Sequence, residues 1–113
     1  MTLAGRDQIY VEHMLECIER VERYAYPDRE TFMRSDLVQD AVARNLQTLA
    51  ESSQRLSDEI KNTQSHIDWR ALAGFRNVLV HDYMGLDLET IWLVIENDLP
   101  ALKDALNAMQ ADL

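Results

Sequence analysis

Arg76, His81 and Tyr83 stand together in the run Arg76-Asn77-Val78-Leu79-Val80-His81-Asp82-Tyr83. A guanidinium is planar, stays charged at any working pH and grips two anionic oxygens at once. An imidazole can carry a proton and release it near neutrality. A phenol adds one hydroxyl. The first two groups suffice to break a phosphodiester that carries its own nucleophile, as RNA does. The 2′-OH attacks the adjacent phosphorus, and a histidine takes that proton or gives one to the leaving 5′ oxygen. An arginine offsets the charge that builds on the phosphorane. No metal is called for, since the chain shows no Cys/His cluster or carboxylate array with metal-ligand spacing.

Geometry limits this reading. On a continuous α-helix, residues five apart sit about 140° apart around the axis and ~7.5 Å apart along it. Arg76 and His81 therefore do not share a face by default. They can converge if the helix loosens after Val80, or if a second copy supplies the missing partner across a two-fold axis. In either case His81 falls near the last helical turn, where the negative end of the dipole favours an imidazolium. A plainer reading stands beside this one. His81 could simply cap a helix end, Arg76 could pair with Asp82 or a neighbouring glutamate, and Tyr83 could be a half-buried phenol.

The rest of the chain must position these groups. Its 113 residues make one domain, 1–113, and 47% of them are hydrophobic with only three glycines and two prolines. That is a globular, loop-poor composition. A single cysteine, Cys17, excludes an intrachain disulfide. No apolar run approaches the ~20 residues that span a bilayer, and the N-terminus lacks the basic-then-apolar order of a signal peptide. A reducing cytoplasm is the address these features predict. The net charge of −9 argues against broad adhesion to nucleic acid. It is unevenly spread, however: residues 67–86 carry two basic and two acidic groups, whereas 87–113 carry one and six. The motif thus lies in the least acidic part of the chain.

Four main helices are predicted. Val11, Met14, Leu15, Ile18, Val21 and Ala25 recur at spacings of three and four, which marks one helical face. Pro27 stops this helix. Residues 28–35 read as a connector with at most a short turn around Phe32 and Met33. The second helix opens at Ser35 or Asp36, the latter forming a capping-box pattern with Gln39. Its stripe of Val38, Ala41, Val42, Leu46, Leu49, Ala50, Leu56 and Ile60 predicts about 25 residues, roughly 37 Å of helix. Ser52-Ser53-Gln54 is then a polar patch within it. Residues 61–66 are turn-like. Asp68 caps a third helix that buries Trp69, Leu72, Phe75 and Leu79 and ends in the Gly85 region. Asp87 caps a fourth, whose stripe runs from Leu88 to Met109 and continues through Pro100, predicting a kink there. His13, His66, Cys17 and the five methionines read as surface or packing residues. The product is an all-α bundle of four to five helices. Its surplus of large residues, Trp69 and Trp92 among them, points to a two-fold dimer.

Ile67-Asp68-Trp69-Arg70-Ala71-Leu72-Ala73-Gly74-Phe75-Arg76-Asn77, with the pattern Arg-x4-His-x-Tyr that follows, resembles the HepT-type members of the HEPN family. Leu88-Glu89-Thr90-Ile91-Trp92 and Asn97-Asp98-Leu99-Pro100-Ala101-Leu102 are similar to the same family. The resemblance covers nearly the whole chain. It implies a HEPN helical bundle, dimerised so that Arg76 and His81 of both copies line one cleft, with Asn77 orienting the phosphate or His81. It also implies a metal-independent endoribonuclease acting on tRNA or mRNA, without cofactor, as the toxin of a toxin–antitoxin pair. The antitoxin would be a minimal nucleotidyltransferase that attaches AMP to Tyr83. An adenylate there would add bulk and negative charge where an RNA phosphate must sit. The competing reading is a non-catalytic dimer that holds a nucleotide or a nucleotidyltransferase, and the net charge of −9 favours it.

Overall fold

The stripe from Val11 to Ala25 lies on α1, Leu3–Ala25, and its Val11, Met14, Ile18, Val21 and Ala25 are all buried. The structure, a computed structural model, describes residues 2–25, 28–81 and 87–113. The next segment is helical: α2, Arg29–Arg34, is capped by Asp28, whose Oδ1 accepts from the Thr31 N–H. Phe32 anchors it with no exposure, stacked at a tilt against Trp92 with ring centroids 5.8 Å apart.

Ser35 caps α3, Asp36–Ser53, its hydroxyl accepting from the Val38 N–H at 3.1 Å. The capping box expected from Asp36 and Gln39 does not form. Gln39 instead donates to the carbonyls of Phe32 and Met33, tying α3 to the end of α2. The long second helix is also shorter than its stripe predicts. It stops at Ser53, and α4, Asp58–Asn62, begins after a turn. Two local bonds end it: the Ser53 hydroxyl donates back to the Ala50 carbonyl at 2.6 Å, and the Gln54 N–H closes on Glu51. Serine side chains compete with the helical ladder in this way. The restart has a clear cause. Asp7 of α1, only 3% exposed, accepts from both the backbone N–H of Ser57 (2.9 Å) and its hydroxyl (2.6 Å), while that hydroxyl caps α4 through Ile60.

The turn-like stretch up to His66 leads into α5, Trp69–His81, whose cap is Asp68 as expected. The Trp69 indole N–H faces the carbonyls of Lys61 and Gln64, which pins the start of α5 to the end of α4. Asp87 caps α6, Leu88–Leu93. Helical structure continues through Pro100, but by way of a π turn at Val94–Asp98 before α7, Leu99–Ala111. In an α-helix the Pro100 ring would crowd the carbonyl four residues back, and it has no N–H to donate. The widened turn, closed by the Leu99 N–H on the Val94 carbonyl, accommodates it.

The core is built on α1. It packs along α3 on one side and α7 on another, and α5 packs mainly on α3. Ile18, Leu46, Leu49 and Leu106 lie at 1% exposure or less, each contributing about 1.5–3 kcal/mol by burial. Polar ties close the rim: Lys103 of α7 to Glu22 of α1 at 2.9 Å, and Arg29 of α2 to Glu89 of α6. Among the described residues every regular element is helical, and no helix is long and apolar enough to cross a membrane.

Candidate active site

The antiparallel seam between α3 and α5 carries the motif. α5 remains a regular helix through His81, so no loosening after Val80 swings the imidazole towards Arg76. Within one chain the two groups therefore point in different directions. Arg76 is partly buried and lies against α3, while His81 is exposed in the last turn of α5.

Arg76 is held at two points. Its Nε donates to Glu51 Oε1 at 3.4 Å, and its Nη1 donates to Asn77 Oδ1 at 3.3 Å. The glutamate that pairs with Arg76 is thus not a neighbour in the sequence but lies 25 positions earlier, on α3. Glu51 is itself fixed by the Gln47 side-chain amide, which donates to the same Oε1 at 3.0 Å. The Gln47 amide is the largest influence holding the Glu51 carboxyl below its ordinary value. Partial desolvation opposes it, and Arg76 and Arg44 reinforce it. Asn77, expected to orient the phosphate or His81, contacts Arg76 in this structure. Tyr83 and Asp82 lie outside the described residues, as do Pro27 and the Gly85 region.

Glu51, Gln47 and Arg44 were not singled out in the sequence, though spacings of three and four place them on one face of α3. That face borders a shallow recess of about 280 Å³ beside the C-terminal half of α5, lined by Arg44, Gln47, Leu79 and Val80 among others. A larger apolar cavity, about 470 Å³, opens between the N-terminal half of α5 and α7, with Leu46 and Leu49 as its floor. Neither Arg76 nor His81 lines it, so it is not where this motif would act. Among the described residues no three His, Cys, Asp or Glu side chains gather as they would around a metal ion.

α5 is poorly covered for a helix of its composition. Only Leu79 of its thirteen residues is buried, and Val78 and Val80 are 37% and 38% exposed. Trp69 and Trp92, by contrast, have partners within the chain. The most exposed large apolar side chains among the described residues are Leu37, Leu3 and Leu93, ahead of Val78 and Val80.

Comparison with known proteins places this helical architecture. The profile of the family described as Ribonuclease HepT-like matches residues 14–109. A Methanocaldococcus jannaschii protein named as a gamma-glutamylcyclotransferase and, provisionally, an RNase is 35% identical over 107 residues, 94% of this chain and 48% of that protein. The present chain thus spans about half the length of that relative. A Thermococcus cleftensis protein provisionally named ribonuclease HepT is 33% identical over 95 residues, 83% of this chain and 86% of its own. A provisionally named RNase of Caldanaerobacter subterraneus is 32% identical over 95 residues, covering 83% of this chain and 85% of its own. No solved structure matches the chain significantly. The chain belongs to the HepT-like ribonuclease family, a branch of the HEPN helical proteins.

Proposed function

We propose that this protein is a metal-independent endoribonuclease whose active cleft forms between two copies of the chain. The observation that carries this reading is the placing on α5 of a tethered guanidinium, Arg76, and an exposed imidazole in the last turn, His81, on a helix of which only Leu79 is buried. A two-fold partner packed along the exposed side of α5, where Asn77, Val78 and His81 lie together, would bring the His81 of one copy towards the Arg76 of the other. Arg76 then grips the scissile phosphate, and His81 exchanges the proton that 2′-OH attack requires. Asn77 supports Arg76. RNA, as tRNA or mRNA, is the substrate in keeping with the ribonuclease names of the relatives.

We propose a wider role in keeping with the family resemblance. The protein acts as the toxin of a toxin–antitoxin pair, and a minimal nucleotidyltransferase neutralises it by attaching AMP to Tyr83, two residues beyond His81. Negative charge there repels an incoming phosphate. Co-expression with such a nucleotidyltransferase should add AMP mass to the Tyr83 peptide, and Tyr83→Phe should remove it.

Purified protein is expected to cut RNA in excess EDTA. Arg76→Ala and His81→Ala should each abolish cutting while leaving the circular dichroism spectrum unchanged. Full activity in both variants would refute the roles given to these residues. A protein that binds a nucleotidyltransferase tightly but leaves RNA intact and growth unaffected would instead match the non-catalytic reading that the net charge of −9 favours.

A further inference from the structure

We infer that Glu51 is a positioning residue for Arg76: it fixes the Nε edge of the guanidinium so that the terminal nitrogens stay available to a substrate phosphate. This inference rests on the functional reading above and adds a residue outside the motif. A free arginine side chain samples many rotamers, and a bidentate grip on a phosphate requires one of them. A second contact at the base of the guanidinium removes that freedom before substrate arrives.

The details suit a holder better than a competitor. Glu51 meets Nε, whereas Asn77 takes a single Nη1 proton, and Nη2 has no protein partner among the described residues. The edge that would face a phosphate is therefore not filled by the carboxylate. The holder is itself held. Gln47, one turn earlier on α3, donates to Glu51 Oε1, and the next residues, Ser52 and Ser53, are buried. Both partners are partly exposed, with the Arg76 side chain at 31% and Glu51 at 42%. An ion pair in such a place adds little to the stability of a fold. A gain in function is the simpler account of a two-step relay from Gln47 through Glu51 to Arg76.

The test compares wild type, Glu51→Ala and Glu51→Gln in steady-state cleavage of a labelled RNA, alongside the Nε–Hε NMR resonance of Arg76. Glu51→Ala should lower kcat roughly 10- to 100-fold, the scale set by a misplaced reacting group, with KM changed far less. Glu51→Gln keeps an oxygen for Nε and should recover much of that loss. The Arg76 resonance should stand apart from those of free arginines in wild type and Glu51→Gln, and merge with them in Glu51→Ala. Melting temperatures should match, which separates positioning from folding. Glu51→Ala cutting as fast as wild type, or faster, would overturn this inference alone, and so would an Arg76 resonance indifferent to the substitution. Wild-type protein that cuts no RNA would overturn the ribonuclease reading beneath it, and this inference with it.

Discussion

Replacing Asp7 should be among the costliest single changes to a polar residue in this protein. Its carboxylate is 3% exposed and accepts two hydrogen bonds from Ser57, at 2.9 Å from the backbone and 2.6 Å from the hydroxyl. These bonds join α1 to the turn that ends α3 and starts α4. Bonds to a charged acceptor contribute about 1.5–3 kcal/mol each. Ser57 is only partly buried, so water can repair some of the loss. Asp7→Ala should therefore cost about 2–3 kcal/mol, close to a 10–15 °C fall in Tm for a domain of this size. Asp7→Asn keeps one acceptor oxygen and should cost roughly half as much. Urea unfolding followed by far-UV circular dichroism, at one fixed protein concentration because any dimer adds to apparent stability, measures both. A double-mutant cycle with Ser57→Ala isolates the pair. Asp7→Ala within about 0.5 kcal/mol of wild type, a shift typical of ordinary surface sites, would refute the claim that this carboxylate holds the turn.

Two further outcomes follow. Burial pushes the Cys17 thiol above its ordinary value, against a smaller pull from Arg20, so less of it is thiolate at any given pH. Iodoacetamide at mildly alkaline pH should leave native protein unmodified and label it only in denaturant; fast native labelling would contradict that burial. Val78→Glu places a charge on the exposed side of α5 beside His81, and it should halve the mass seen by light scattering without changing the helical signal. An unchanged mass would mean that two copies do not meet on this face.

Local signals in the sequence were enough for most of the helices. Ser35, Asp68 and Asp87 announce their helices because a short polar side chain satisfies the free N–H groups of a first turn wherever the turn lies. The apolar stripes of α1 and α7 likewise name their own buried faces. The end of α3 was not legible. The stripe continues through Leu56 and Ile60, both buried, although the backbone turns between them and Leu49, and the residue that settles the turn, Asp7, lies 50 positions away. Pro100 advertised a disturbance but not its form, since a π turn lets the stripe continue unbroken.

The same division holds at the site. Arg76 and His81 stood out by residue type and spacing, and their separation around a regular helix could be worked out from the spacing alone. Glu51 could not, because its contact with Arg76 depends on how α3 and α5 pass each other. A polar face on α3 was visible as Arg44, Gln47 and Glu51, but solvated faces look the same. The thin burial of α5 is also a tertiary fact: that Leu79 alone is buried depends on which neighbours α5 has.

Mixing the two inactive variants tests most directly whether one cleft draws on two chains. Arg76→Ala and His81→Ala, unfolded together and refolded as a mixture, should recover RNA cleavage. Random pairing makes half the dimers mixed, each with one intact Arg–His combination across the interface, so activity should approach about a quarter of wild type. A mixture as inactive as either variant alone would contradict a site assembled between chains.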